Sequence, residues 1–218
     1  MEKSQIVIKA LYVWQPQGDS AGLPDLSFVP AMQRRRMTAL SKLATALIHG
    51  VKDEMSPDAK IYFVSLAGES SRQFQVNTMV LQDNEVLPAT FATSVFNTPP
   101  AMASIILGLN NGYSALYPVP GDFSSAVQTV VASLMVGTNG QVLMVYGDVQ
   151  SPEEYKELDG ACATTWGYAA LFEFATATDG RLTSVLDFIP DDVLTPQDFF
   201  QKLLGSKVRL VSLQDKAE

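Results

Sequence analysis

Asp122, Ser124 and Ser125 fall where a helix is expected to begin, the point on a chain where an anion or a nucleophile gains most from its surroundings. Free N–H groups and the helix dipole stabilise negative charge there, so a thiol at that place would ionise readily and attack carbonyl carbon. Asp122 profits from the same field as an N-cap that accepts backbone hydrogen bonds, the usual role of aspartate at a helix start. Carboxylate nucleophiles exist, but they work with a positioned acid or base, and none can be picked out beside Asp122 in sequence. Ser124 and Ser125 occupy the first turn, where hydroxyls commonly serve backbone groups. Cys162, the one cysteine, sits in Ala161-Cys162-Ala163-Thr164 ahead of an expected strand, so no helix field activates it and it reads as a small buried hydrophobe. His49, the one histidine, lies near the end of an amphipathic helix, where dipole or solvent contacts account for it. No G-x-S-x-G elbow, P-loop or dinucleotide glycine fingerprint occurs, and with neither CxxC nor HExxH a zinc site is not expected. No metal or cofactor is implied.

The elements that must position Asp122 read as a strand–helix–strand unit. Residues 113–119 (YSALYPV) form a buried strand, Gly121 breaks it, and a helix opens at Asp122 with apolar residues at 123, 126, 127, 130, 131 and 134. That spacing makes one continuous apolar helix face. Gly137 and Gly140 stop the helix, and QVLMVYGD (141–148) returns as an apolar strand. Upstream, residues 5–14 make a first strand, followed by a Pro/Gly-rich loop. A helix is expected from about Pro30 to Val51, with Met37, Leu40, Leu43, Ala44, Leu47 and Ile48 inside. KIYFVSL (60–66) is a second strand, then come a helical stretch near 69–82, a turn at Pro88 and a short helix around 98–109. Downstream of a polar loop, 164–177 and 181–189 read as a hairpin turning at Thr178-Asp179-Gly180. Thr195, Pro196 and Asp198 start a last helix ending at Gly205, and KVRLVSL (207–213) is a closing strand. With no repeat, low-complexity tract or long linker, residues 1–218 are expected to be one domain.

The chain has 218 residues, 47% hydrophobic and 17% charged, enough for one well-buried core. Its net charge of −8 argues against nucleic acid or an anionic membrane as a partner. No apolar run approaches the roughly 18 residues that span a bilayer, no secretion signal is seen, and a single cysteine suits a reducing cytoplasm. Against the acidic background, Arg34, Arg35 and Arg36, with Lys42 further along, form the one basic cluster. Such a cluster is either a solvated helix face or a patch that docks an acidic partner.

Taken in order, PDLSFVPAMQRRRMTALSKLA (24–44), VSLAGES (64–70), LPATFATSVFN (87–97), GDFSSAVQTVVASLM and QVLMVYGD resemble the N-terminal half of a β-ketoacyl synthase. More narrowly they resemble the short, chain-length-factor-like proteins of aryl-polyene and flexirubin pathways. The resemblance implies an α/β fold, half of the thiolase fold: a three-layer α/β/α arrangement whose mixed five-stranded sheet has order 3-2-4-5-1 with strand 5 antiparallel, here followed by a C-terminal helix and strand. In that family the helix beginning at Asp122 would start with the acylated cysteine, in a Cys-Ala-x-Ser-Ala-like string. Here the string is Asp122-Phe123-Ser124-Ser125-Ala126, so Asp122 marks a degenerate nucleophile position. The family's second catalytic half is also expected to be absent. The stretch from Asn97 to Met102 departs from the Ala/Gly-rich pattern of the short relatives. The resemblance therefore implies a non-catalytic ketosynthase-like subunit of a type II fatty-acid or polyketide system. Such a subunit would pair through the 113–119 strand with a ketosynthase or a second copy, and contact an acyl chain or an acyl carrier protein, with Arg34, Arg35, Arg36 and Lys42 as the docking patch. Two alternatives stay open: an acyltransferase or thioesterase-like enzyme using Ser124, Ser125 or Asp122 with groups from elsewhere in the fold, and a purely structural assembly protein.

Overall fold

A computed structural model describes residues 6–16, 22–136, 140–174 and 194–205, and the backbone of 210–211. Among the described residues six strands form one mixed sheet: β1 (Ile6–Trp14), β2 (Lys60–Val64), β3 (Tyr113–Leu116), β4 (Gln141–Asp148), β5 (Trp166–Phe174) and β6 (Leu210–Val211), in the order β3-β2-β4-β5-β1-β6. The expected order 3-2-4-5-1 is thus observed, and the closing strand joins it beyond β1. β2 runs parallel to both β3 and β4, whereas β5 runs antiparallel to β4 and β1. Every residue of β4 is buried, which is why its run Val142–Tyr146 is apolar on both faces. Register places Ile61 beside Tyr113 and Leu143, and Asp148 beside Trp166. The carboxyl ends of β2, β3 and β4 therefore meet the start of β5 along one rim of the sheet.

Helices cover both faces. α1 (Ala31–Arg34) is a single short turn, and α2 (Ala39–Val51), α3 (Ser70–Asp83), α4 (Pro88–Ala92) and α5 (Thr98–Leu107) follow between β1 and β3. Leu40, Leu43, Leu47 and Ile48 of α2 pack with Ala103 of α5 on one face of the sheet. α6 (Ser124–Val136) and α7 (Pro196–Gly205) cover the other, where Val127, Val130 and Leu134 meet Met144, Phe199 and Leu203. Gly50 lets α2 lie directly on β1: a Cβ there would stand 2.3 Å from Cγ of the buried Tyr12 ring.

Several boundaries differ from expectation, each for a local reason. The helix expected over 30–51 is broken, because Thr38 adopts extended backbone and its side chain accepts from Ser41 N at 3.0 Å, capping α2 afresh. Met37, left outside α2, packs with Leu26, Val29 and Ala46 in a small satellite core. Pro88 opens the short α4 where a turn is expected, with Leu87 extended before it. β3 ends at Leu116, three residues short of its expected limit, since Pro118 and Pro120 cannot donate to a ladder. The predicted capping box at α7 is present: Asp198 N donates to Thr195 Oγ1 at 3.1 Å and Thr195 N to Asp198 Oδ2 at 2.9 Å. The hairpin turn at 178–180 and its second strand, 181–189, lie outside the described residues, as does Gly137.

Candidate functional site

The rim built by β2, β3, β4 and the start of β5 is where α/β sheets generally place ligands, because loops and helix starts converge there. β3 leads through Val119-Pro120-Gly121-Asp122, a turn with proline second and Gly121 at φ 84°, closed by Asp122 N donating to Val119 O at 2.9 Å. α6 then begins at Ser124, two residues later than expected. Asp122 stays exposed and acts as a capping acceptor: Ser125 N donates to its Oδ1 at 3.3 Å and Ser124 Oγ to the same oxygen at 2.7 Å. Ser125 Oγ donates to Asp122 O at 2.9 Å. The structure thus brings Asp122, Ser124 and Ser125 together in one hydrogen-bonded helix start. No histidine, lysine or second carboxylate is bonded to this group among the described residues.

Cys162 is not hydrogen-bonded to this group. It lines a cleft of about 570 Å³ between the β4–β5 rim and α7, whose walls include Tyr146, Asp148, Trp166 and Phe200. Cys162 N donates to Ser151 Oγ and Ser151 N to Cys162 O, each at 2.9 Å, so the loop before β5 is pinned to the loop after β4. Burial, reinforced by the neighbouring Asp148 charge, pushes the Cys162 thiol up from 9.0 to about 12. Its Sγ instead donates to Thr164 O at 3.0 Å. This is the opposite of the electropositive, helix-start surroundings that produce a reactive thiolate.

Asp148, which sequence reasoning did not single out, organises this rim. Its carboxylate is 1% exposed and accepts from Ser65 Oγ, Tyr146 Oη at 2.7 Å, Leu66 N at 3.1 Å and Ala67 N at 3.0 Å. Burial raises its pKa while these four donors oppose the rise. Asp148 thereby holds the turn after β2, and Ser65 Oγ in turn accepts from Gly68 N at 2.8 Å. The available signal was a carboxylate closing an otherwise apolar strand. Glu69 was missed in the same way. It is 6% exposed, bonds through Oε1 to Thr38 Oγ1 at 2.6 Å, and borders a second cleft of about 310 Å³ with Phe96, Tyr117 and Tyr155. Burial lifts its carboxyl from 4.5 to about 7, against the Thr38 hydrogen bond and the Arg72 charge.

Arg35 and Arg36 are exposed, and Arg34 and Lys42 half-buried, straddling the break between α1 and α2. Arg34, Arg35 and Lys42 line a shallow depression with Asp25 and Leu26, and among the described residues no salt bridge engages the four cations. His49 stacks on Phe28, with ring centroids 3.7 Å apart, and lines neither cleft. Among the described residues no cluster of three or more His, Cys, Asp or Glu could hold a metal, and no helix is long and apolar enough to cross a membrane.

Comparison with known proteins places this geometry. A ketosynthase in complex with its chain length factor from Xenorhabdus doucetiae is similar over 80% of this chain and 81% of the matched one, at 19% identity and a TM-score of 0.66. The ishigamide ketosynthase/chain length factor aligns over 72% of this chain and 48% of its own, at 13% identity and a TM-score of 0.52. A type II polyketide synthase acyl-carrier protein in complex with its ketosynthase bound to the hexaketide aligns over 78% and 63%, at 12% identity and a TM-score of 0.56. At these identities the likeness is one of fold, a thiolase-like α/β sheet. The search of curated proteins found no match. The profile of the β-ketoacyl synthase N-terminal domain covers residues 12–195, and this chain belongs to that family.

Proposed function

We propose that this chain is a ketosynthase-like subunit without a nucleophile of its own in a type II fatty-acid or polyketide pathway, one of aryl-polyene type, and that residues 1–218 work as one cytoplasmic domain. The observation that carries the reading is the occupant of the α6 start. Where a condensing enzyme would need a thiolate, Asp122 is engaged in capping, and the one thiol of the chain lies on the loop before β5 and stays protonated. The subunit would pair through β3, which among the described residues has a single neighbour in the sheet and leads into the exposed apolar residues Tyr117 and Val119. An exposed strand edge of this kind invites a partner strand, supplied by a ketosynthase or by a second copy. Arg34, Arg35, Arg36 and Lys42 would dock an acidic acyl carrier protein, since a local patch raises encounter rates even on an acidic molecule.

Incubation with acyl-carrier thioesters followed by intact-mass analysis tests the missing nucleophile. No adduct is expected, and a stable acyl adduct on Asp122, Ser124 or Cys162 would overturn the reading. Carrier-protein affinity of the triple Arg34→Glu, Arg35→Glu, Arg36→Glu variant, measured at low and high salt, tests the docking patch; unchanged affinity at both removes it. One observation favours a second reading, an acyltransferase or thioesterase-like activity: Ser124 Oγ bonds directly to the Asp122 carboxylate at 2.7 Å. Thioester hydrolysis that disappears in a folded Asp122→Ala variant would support it. A purely structural protein would bind neither thioesters nor carrier protein.

A further inference from the structure

We infer that the cleft between α7 and the β4–β5 rim is a binding site for a neutral, planar aromatic or conjugated group, held without covalent chemistry. Three features carry this. The floor is aromatic: Trp166 stands 5.0 Å from Tyr146 and 6.0 Å from Phe200, whose ring stacks on Tyr168 at 5.4 Å and 19°. Ring faces and edges set at such offsets suit another flat π-system. The rim is polar but uncharged, built by Gln15, Thr164, Gln197 and Gln201. The one carboxyl group among the described residues of the wall, Asp148, already has four donors from this chain, so it neither needs nor invites a cation. No lysine, arginine or histidine is among the described residues that line the cleft, so an anionic ligand would find no counter-charge there. The volume of about 570 Å³ is that of an ordinary small-molecule site. α7 begins only as the family match at residue 195 ends, so the cleft depends on a helix beyond the shared domain. The inference is independent of the pairing and docking proposed above.

The test uses three probes on the intact chain: trans-cinnamamide, the isosteric anion trans-cinnamate, and saturated hexanamide, followed by saturation-transfer NMR. Cinnamamide is expected to bind saturably and to quench tryptophan emission, with cinnamate and hexanamide each weaker by about tenfold or more. Trp166→Phe should keep the binding and lose most of the quenching, because Trp14 belongs to the opposite core face. Ala163 is exposed and lines the cleft, so Ala163→Phe should fill the space without touching the core, and weaken cinnamamide by about tenfold with an unchanged melting temperature. Should that variant unfold, Gln201→Lys provides the second measurement: a cation on the exposed rim should erase the preference for amide over carboxylate. Absence of saturable binding, equal binding of cinnamate by the parent chain, or undiminished affinity in folded Ala163→Phe would each overturn the inference.

Discussion

Alkylation of Cys162 offers a direct reading of the electrostatics that separate this chain from a working condensing enzyme. The thiol is half-buried, and burial with the Asp148 charge lifts it from 9.0 to about 12. At about pH 8 a thiol of pKa 9 is roughly one-tenth thiolate and one of pKa 12 about one part in ten thousand, a loss of about a thousandfold in the reactive form. A more basic thiolate is intrinsically a better nucleophile, and with a Brønsted slope near 0.45 that returns about 20-fold. The folded chain should therefore react with iodoacetamide about 50-fold more slowly than the same chain unfolded in urea, before any steric shielding is counted. Rates are obtained by quenching aliquots and weighing the intact protein, and their pH profile should still be climbing at about pH 10. Asp148→Asn should accelerate the folded reaction only in part, because burial is the larger cause. A folded rate within about threefold of the unfolded one, or a plateau below about pH 9, would refute the reasoning and restore Cys162 as a nucleophile.

Three further outcomes follow from the same coordinates. Asp148→Ala strands four donors around a buried site and should cost about 3–5 kcal/mol, lowering the melting temperature by about 10 °C, and a loss below about 1 kcal/mol would contradict the network. Glu69, lifted from 4.5 to about 7, keeps in the folded chain a proton that the unfolded chain releases, so its contribution is complete below about pH 4.5 and is lost as pH rises to about 7. That amounts to about 3 kcal/mol, visible as a falling urea midpoint that Glu69→Gln should flatten; an unchanged slope in that variant would discount the burial argument. Gly50→Ala drives a methyl to 2.3 Å from the Tyr12 ring and should cost about 1–3 kcal/mol, whereas Gly140→Ala, with nothing within 4 Å, should stay within about 0.5 kcal/mol on the same calorimetric scale.

Much of the architecture was legible in the chain because it rests on local patterns. The runs that became β1, β2, β4 and β5 stand out as apolar, and the 3.6-residue spacing of Val127, Val130, Val131 and Leu134 is the buried face of α6. The order of the strands came from the resemblance, since periodicity says nothing about neighbours. The break before α2 escaped because Met37 and Leu40 continue the apolar spacing across it, although Thr38 followed by Ser41 carries the hydroxyl signature of a new cap. Asp148 and Glu69 escaped for a different reason. Their partners Ser65 and Thr38 lie 83 and 31 residues away, and only the closed sheet brings them within bonding distance. The cleft lined by Cys162 has the same origin, as it joins residues 15–16, 146–166 and 195–201 into one wall.

The placement of β6 limits how this molecule can be joined to others. At one boundary of the sheet, Leu210 and Val211 occupy the middle of β1, whose residues Leu11 and Tyr12 have no hydrogen-bonding sites left to offer there. At the opposite boundary, β3 pairs among the described residues with β2 alone and is four residues long. Strand addition therefore finds a free run of backbone at β3, whereas the run along β1 is interrupted at its centre. Because β3 offers a ladder of four residues, most of the area of a stable pairing has to come from side chains flanking the strand and not from backbone hydrogen bonds.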